Sequence, residues 1–228
     1  MRFRSGLFFA AAAAILCYSC RDKGGKDIDQ GEIHYTIDYR GNMNSMPKEI
    51  MPRTLVVMFK ENKILFDISS PIGNSGIVNL SNPEDGIYDT YISLFTWRYY
   101  YAAEQGELHP GFEAMQGMDI RKTSKTSTIC GFNCKGAEVT FPADRKKVYE
   151  IWYTDEINVR DPNVATPFAE IDGVLMSFFF LMGSAEMHFN AESVYKKEIP
   201  DKEFQRREKF IRVSKEDINQ FIDKMLSI

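Results

Sequence analysis

The chain has 228 residues, of which 44% are apolar, 13% aromatic and 26% charged, with a formal charge of −4. Its 17 Phe, 11 Tyr and 2 Trp can bury enough surface for a fold, which excludes an intrinsically disordered or fibrous chain. The absence of a basic excess argues against a nucleic-acid-binding protein, so no nucleic-acid partner is predicted.

The start of the chain, over positions 1–19, predicts a secretory signal peptide. Arg2 and Arg4 form a short basic start, and the apolar stretch Leu7–Cys17 is shorter than the ~20 residues that cross a bilayer. Ser19 and Cys20 then resemble the end of a bacterial lipoprotein box, in which the cysteine becomes the lipid-modified first residue of the mature chain. We therefore expect Cys20 to carry the lipid, and an ordinary signal peptide cleaved nearby is the alternative.

These signals divide the chain into three segments: a signal peptide over 1–19, a lipidated cysteine with a polar tether over 20–30, and a single β-rich domain over 31–228. Each buried acyl CH₂ contributes ~0.8 kcal/mol, so a multiply acylated cysteine anchors a protein without a transmembrane helix. The predicted location is the outer membrane, at its periplasmic face or at the cell surface. Without residues 1–19 the chain has 26 basic and 32 acidic residues, a net charge of −6. We therefore expect the lipid, and not electrostatic attraction, to hold it at the membrane.

Alternating apolar and polar residues predict a series of short strands. Ile33, Tyr35, Ile37 and Tyr39 share one face of the first. The segments 53–60 and 63–69 predict a hairpin across Glu61-Asn62, and further strands are predicted over Gly76–Leu80, Tyr88–Phe95, Thr96–Ala102, Met118–Ile129, Ala137–Phe141, Val148–Ile157, Val174–Met182 and Ala185–Lys196.

Only the end of the chain predicts a helix. Ser214 and Asp217 have the spacing of a capping box, and a single apolar stripe follows, made of Ile218, Phe221, Ile222, Met225 and Leu226. Many short strands with one terminal helix predict a mainly β (α+β) fold, in which a curled antiparallel sheet forms a half-barrel or incomplete barrel. The helix stripe is expected to pack on that sheet or on its open edge.

Three short blocks follow one another along the chain: 129–137 (ICGFNCKGA), 150–157 (EIWYTDEI) and 171–174 (IDGV). Together with the opening 33–37 (IHYTI), they resemble the motifs of an uncharacterised, GLPGLI-like family of Bacteroidetes-type lipoproteins. The resemblance covers about residues 30–205. Such families look like relatives of the LolA and LolB lipoprotein carriers, so the resemblance implies an envelope location and an unclosed barrel whose concave side holds acyl chains. It implies no activity.

Two cysteines remain in the mature domain, Cys130 and Cys134. Four residues of straight strand span ~13 Å, whereas disulfide-bonded Cα atoms lie within ~7 Å, so a disulfide requires residues 131–133 to turn or bulge. The sequence leaves a disulfide and two free thiols equally open. The C-x₃-C spacing disfavours a redox or metal site.

No catalytic residue, metal site or cofactor is predicted. His34, His109 and His188 lie far apart and outside any zinc-binding spacing, and the paired acids at 84–85 and 155–156 point to opposite faces if they lie on strands. No nucleophile elbow, phosphate-binding loop or dinucleotide motif occurs. We therefore predict a non-enzymatic protein. A hydrolase is kept as a hypothesis that ranks below the two binding functions described at the end of this section.

Five methionines lie in loop-like segments: Met43, Met46, Met51, Met115 and Met118. Thioethers bind Cu(I), but no Cys or His is interleaved with these methionines. Flexible apolar lining is the favoured interpretation, because methionine adapts to irregular gaps and varied ligands. They are expected to line the mouth of the half-barrel, and Met115 and Met118 are ligand-binding candidates.

The densest aromatic stretch predicts a strand with Trp97, Tyr99 and Tyr101 on one face and Arg98 and Tyr100 on the other. One interpretation is a central strand between a core and the C-terminal helix. The other is a ligand platform.

Two functional hypotheses follow. The first is a lipid-anchored envelope protein whose concave sheet face binds a hydrophobic or amphiphilic ligand. The second is a surface module that binds a glycan or an envelope protein partner through exposed aromatic residues. The ligand-binding candidates are Trp97, Tyr99, Tyr101 and Trp152, with Met115 and Met118.

Overall fold

Twelve strands and one α-helix make up the part of the chain that the computed structural model describes, residues 28–40, 51–70, 75–183 and 185–227. The strands are β1 (Gln30–Arg40), β2 (Thr54–Lys60), β3 (Lys63–Ser69), β4 (Gly76–Asn82), β5 (Ile87–Leu94), β6 (Trp97–Ala102), β7 (Asp119–Ile129), β8 (Phe132–Phe141), β9 (Asp144–Thr154), β10 (Val174–Met182), β11 (Ala185–Lys196) and β12 (Ile211–Arg212), and the helix is α1 (Lys215–Ser227). The predicted signal peptide, Cys20, Met43 and Met46 lie outside the described residues.

All twelve strands form one sheet in the order β12-β6-β5-β4-β3-β2-β1-β11-β10-β9-β8-β7. Two antiparallel meanders, β1–β6 and β7–β11, join where β1 pairs with β11. Only β12 is parallel to its neighbour, β6. Because the order ends at β12 on one side and at β7 on the other, the sheet is unclosed.

Contacts across the concave face show that the sheet is curled. The rings of Phe66 on β3 and Phe180 on β10 lie 6.5 Å apart between centroids. A flat sheet would hold these strands roughly 19 Å apart, since they are four places apart in the order. The predicted mainly β fold, with a curled antiparallel sheet and a C-terminal helix, is therefore confirmed.

The middle of the concave face is filled by side chains. Residues from the sheet, such as Leu55 and Phe189, form one buried cluster with Phe112, Phe168 and Ile218, which come from two loops and from α1. The Phe112 ring lies 4.6 Å from that of Phe180 on β10. The loops and helix thus close this part of the half-barrel.

The helix begins as the capping box predicts. The Asp217 backbone N–H donates to Ser214 Oγ at 3.1 Å, and the Ser214 backbone N–H donates to the Asp217 carboxylate at 3.4 Å. Ile218 and Ile222 are fully buried against the sheet, and α1 contacts β5, β6 and β10. The predicted partner of the helix stripe is confirmed.

Two strands, β8 and β9, differ from the sequence prediction by more than two residues at a boundary. β8 begins at Phe132 instead of Ala137, because the chain reverses directly before it at Cys130-Gly131. β9 covers Asp144–Thr154 instead of Val148–Ile157, because β8 and β9 close around residues 142–143 and pair from Phe141–Asp144 onward.

A C-terminal strap, residues 197–210, crosses the outer face of the sheet and has no counterpart in the sequence prediction. Its Ile199 and Phe204 are buried with Leu80 and Tyr91 in a second cluster. After the strap the chain forms β12, which adds two residues to the edge of the sheet beside β6.

Candidate functional site

The strands run between two ends of the sheet. We call the end where β1 begins, at Gln30, the proximal end; the turns at 61–62 and 130–131 also lie there. The opposite, distal end carries the 95–96 turn between β5 and β6. The chain enters the domain at the proximal end, so this is the end nearest in sequence to the predicted anchor, Cys20.

An apolar surface is exposed where β6, β12 and α1 meet near the distal end. We call it the edge patch and define it as Phe95, Trp97, Tyr99, Ile211 and Phe221. Phe95 is 74%, Trp97 55% and Ile211 64% exposed, whereas Tyr99 and Phe221 are half-buried. Large apolar side chains with this much exposure are often found at binding surfaces when they are contiguous.

Ring contacts and strand register join four residues of the edge patch, Trp97, Tyr99, Ile211 and Phe221. The Phe221 ring from α1 stacks on Tyr99 with centroids 4.6 Å apart and meets Trp97 edge-on at 6.3 Å. Ile211 pairs with Tyr99 across β12 and β6, so the two side chains lie next to each other on one face of the sheet. Phe95 sits in the adjacent turn with a φ of 54°.

The sequence placed Trp97, Tyr99 and Tyr101 on one face of a strand, and the structure brings that face against the helix. The interpretation of a strand between a core and the C-terminal helix is confirmed in part, because Tyr99 stacks on Phe221 of α1 and Tyr100 packs against the second cluster on the other face. The central position was wrong, because β6 is the second strand from the edge and β12 covers it over two residues only. Tyr101 donates its hydroxyl to Glu107, which also pairs with Lys215 at 2.6 Å. This ionic contact fixes the start of α1 beside β6.

The other ligand-binding candidates lie elsewhere. Trp152 is half-buried on β9, eight places from β6 in the sheet order, where it packs against Gly136. Met115 is 2% exposed in the core, and its sulfur accepts the Leu181 backbone N–H at 3.3 Å. Met51 is also buried and Met118 is half-buried. Met51 and Met115 therefore fill space inside the fold instead of lining an open mouth.

Both cysteines of the described residues, Cys130 and Cys134, are free thiols. The tight turn falls at Cys130-Gly131, where both residues have positive φ, so residues 132–134 are extended strand and do not turn back toward Cys130. Cys130 Sγ donates to the Ala191 carbonyl at 3.3 Å. Burial raises the pKa of the Cys134 thiol to about 11, which keeps it protonated. The possible disulfide is not formed, because the turn lies one residue too early.

A histidine and a serine do converge, as a hydrolase would require, but inside the core. Thr90 Oγ1 donates to Asn79 Oδ1 at 2.9 Å, so His109 Nδ1–H donates to Thr90 Oγ1 at 3.0 Å. His109 Nε2 is then left to accept the Ser81 hydroxyl at 3.2 Å. Ser81 is 2% and His109 1% exposed, and burial lowers the pKa of His109 to about 4. Two polar clefts lie elsewhere in the described residues, and neither is lined by Ser81 or His109.

Two polar clefts lie near the proximal end. One, of about 250 Å³, is lined by Asp29, Glu61, Asn62, Glu84, Asn158 and Arg160; the other, of about 400 Å³, is lined by residues 155–159 with Asp172 and Gly173. Three of the carboxylates lie in ion pairs: Glu84 with Lys63, Asp155 with Lys135 and Asp172 with Lys122. The described ranges contain no group of His, Cys, Asp and Glu residues that could hold a metal ion.

Comparison with solved structures gives the fold a relative. A protein named PNGF-II, solved in P21 and C2 crystal forms, is similar to this chain with TM-scores of 0.53 and 0.51 at 16% and 14% identity. The similarity covers 85% and 87% of this chain, but only 33% and 32% of PNGF-II, so the chain spans about a third of its length. At such low identity the likeness shows the fold alone.

No family model and no curated protein matches the chain. The resemblance to lipoprotein families therefore stays a prediction. None of the helices in the described ranges is both long and apolar enough to cross a bilayer.

Proposed function

We propose that this chain is a non-enzymatic, lipid-anchored protein of the outer membrane that binds an amphiphilic ligand at the edge patch. The anchor is Cys20, followed by the polar tether. The ligand meets the sheet where Trp97, Tyr99 and Phe221 meet, and not in the middle of the concave face.

One observation carries this choice of site. The middle of the concave face is filled by buried residues such as Phe112 and Phe168, whereas the same face at β6 leaves Trp97 55% exposed beside half-buried Phe221. An apolar chain laid across these rings would remove exposed aromatic surface from water at ~25 cal/mol per Å². Tryptophan also suits the boundary between an apolar tail and a polar head, since its ring is apolar and its N–H is polar.

A single-tryptophan protein tests this proposal directly. The chain has two tryptophans, so Trp152→Phe leaves Trp97 as the only one. Titration with monomeric lysophosphatidylcholine, a neutral amphiphile, should shift Trp97 emission to shorter wavelength and saturate. Phe95→Ser and Ile211→Ser in this background should each weaken binding about fivefold, because both remove an exposed apolar side chain from the patch.

The matched control is Trp97→Phe, which leaves Trp152 on β9 as the reporter and should show no shift. An unchanged Trp97 spectrum at saturating lysophosphatidylcholine would contradict the proposal. If a soluble oligosaccharide shifts Trp97 emission instead, the second hypothesis, a glycan-binding surface module, takes its place.

A further inference from the structure

We infer that the ligand at the edge patch is an anionic lipid surface, a more specific statement that rests on the proposed function. Three exposed cations flank the patch: Arg98, Lys209 and Arg212. Among the described residues, none of the three takes part in an ion pair. Their charges are therefore available to a partner.

The cations come from the same short segments as the apolar residues. Arg98 follows Trp97 on β6, and Arg212 follows Ile211 on β12. Successive residues of a strand point to opposite faces, so Trp97 and Ile211 lie on one face of this edge. Arg98 and Arg212 lie on the other face, beside Tyr100. If this edge tilts onto its apolar face, the apolar row lies deeper than the cationic row, so acyl chains meet the first and headgroups meet the second.

The charge of the domain is unevenly distributed. Residues 205–217 contain five basic and three acidic residues, a net charge of +2, although the mature chain has a net charge of −6. Arg206 and Lys215 are engaged by Asp89 and Glu107, while acidic residues line the clefts near the proximal end. The expectation that electrostatic attraction does not hold the domain at the membrane thus does not extend to this edge. When the domain lies edge-on, the edge formed by β6 and β12 faces the lipid.

The anchor permits this orientation. Nine residues lie between Cys20 and Gln30, and the ten Cα–Cα steps from Cys20 to Gln30 span at most ~35 Å when extended. The eleven residues of β1 extend ~36 Å between the two ends of the sheet. A tether of this length allows the domain to lie on its edge instead of standing on its proximal end. Aromatic residues at the headgroup level are typical of proteins in contact with a bilayer.

The test uses the full chain with Trp152→Phe and vesicles of two compositions, phosphatidylcholine alone and a two-to-one mixture of phosphatidylcholine and anionic phosphatidylglycerol. Trp97 emission should shift to shorter wavelength with the anionic vesicles and be quenched by brominated acyl chains, and about 0.5 M NaCl should reverse both effects. Because Trp97 is the reporter, attachment of the chain through its N-terminus does not produce the signal.

Charge reversal provides the matched comparison. Arg98→Glu, Lys209→Glu and Arg212→Glu together should weaken the response on the order of 100-fold, since each cation near an anionic surface contributes roughly fivefold. Arg53→Glu, Lys146→Glu and Lys202→Glu make the same change in net charge at exposed positions away from the patch, and should weaken it only slightly.

The outcomes separate this inference from the proposed function. An equal shift with neutral and anionic vesicles, or equal losses in the two triple variants, would overturn the anionic preference while amphiphile binding stands. No shift with either vesicle or with lysophosphatidylcholine would overturn both.

Discussion

The imidazole of His109 lies between two hydroxyl groups in the core, and burial lowers its pKa from 6.5 to about 4. Asp89 and Glu107 act in the opposite direction but do not offset the burial. The unfolded chain therefore takes up a proton at a higher pH than the folded one. The stability that neutral His109 provides is complete above about pH 6.5 and is lost as the pH falls toward 4.

We expect the free energy of unfolding to fall by about 2 kcal/mol between pH 7 and pH 5 through this residue alone. Urea unfolding of the parent chain and of His109→Gln at both pH values measures it. The variant should be less stable than the parent at pH 7. Its free energy of unfolding should, however, fall by about 2 kcal/mol less than that of the parent between pH 7 and pH 5. Equal losses in both proteins would show that His109 does not set the acid sensitivity in this range.

A second residue-level prediction concerns the anchor. A labelled fatty acid should be incorporated into the parent protein in a bacterial host and not into Cys20→Ala, because the acylated thiol is absent from the variant. Cys130→Ala is the control, since that thiol follows the signal peptide by more than a hundred residues and should leave labelling unchanged. Label in the Cys20→Ala protein would refute the lipoprotein assignment.

At the scale of elements, the C-terminal strap is held by one buried charge. The Asp89 carboxylate is fully buried, and it accepts two hydrogen bonds from the Arg206 guanidinium at 2.8 and 3.0 Å and one from the Tyr91 hydroxyl at 2.6 Å. Asp89 is on β5 and Arg206 on the strap, so the pair fastens one element to the other. β12 follows directly after this point.

Arg206→Leu should destabilise the fold by about 2 kcal/mol, because it leaves a buried carboxylate with only one strong donor. This expected loss of stability is smaller than for a fully buried ion pair, because the Arg206 side chain is 45% exposed. Lys202→Leu on the same strap should cost no more than about 0.5 kcal/mol, because substitutions of exposed side chains rarely change stability further. Equal midpoints of urea unfolding for the two variants would show that the ion pair does not fasten the strap.

At the scale of the whole molecule, the sheet has a weak seam between β9 and β10. Only three residue pairs join them, Val174–Thr154, Leu175–Tyr153 and Ser177–Trp152, with a bulge at Met176. Past these pairs the Tyr149 and Phe179 rings stack at 4.1 Å. By contrast, β1 and β11 are paired along almost their full length.

Hydrogen exchange should therefore show β7, β8 and β9 opening as one unit at a lower free energy than β1 and β11. The measurement is amide exchange by mass spectrometry at pH 7. The slowest amides are expected in β1 and β11. Protection in β9 that equals that of β1 would contradict a seam at this position.

The local sequence pattern was sufficient to predict most of the strands and the helix. Alternation predicted β2, β3, β10 and β11 almost to the residue, and the Ser214–Asp217 capping box fixed the start of α1, because these signals depend on neighbours within a few positions. The strap and β12 were missed. Their positions depend on Asp89 and Tyr91, more than a hundred residues earlier in the chain.

Only part of the edge patch could be predicted from the sequence. Trp97, Tyr99 and Tyr101 could be assigned to one face from their spacing, but Ile211 and Phe95 carried no signal, and Phe221 was predicted only as part of a helix stripe. The exposure of these side chains depends on how far β12 and α1 extend over β6. Likewise, the turn at Cys130-Gly131 decided against the disulfide, and β7–β8 pairing sets that turn.

The sequence by itself determined a β-rich domain with a curled, unclosed sheet and a terminal helix, because period-two alternation and helix capping are local properties of the chain. It also carried the prediction of a lipid anchor at Cys20. Only the tertiary structure decided which apolar surface is core and which is exposed, since both consist of the same residue types. Phe112 and Phe168 fill the concave face, because long-range packing places two loops and α1 over the middle of the sheet. Trp97 stays partly in water, because β12 covers only two residues of β6 at the edge.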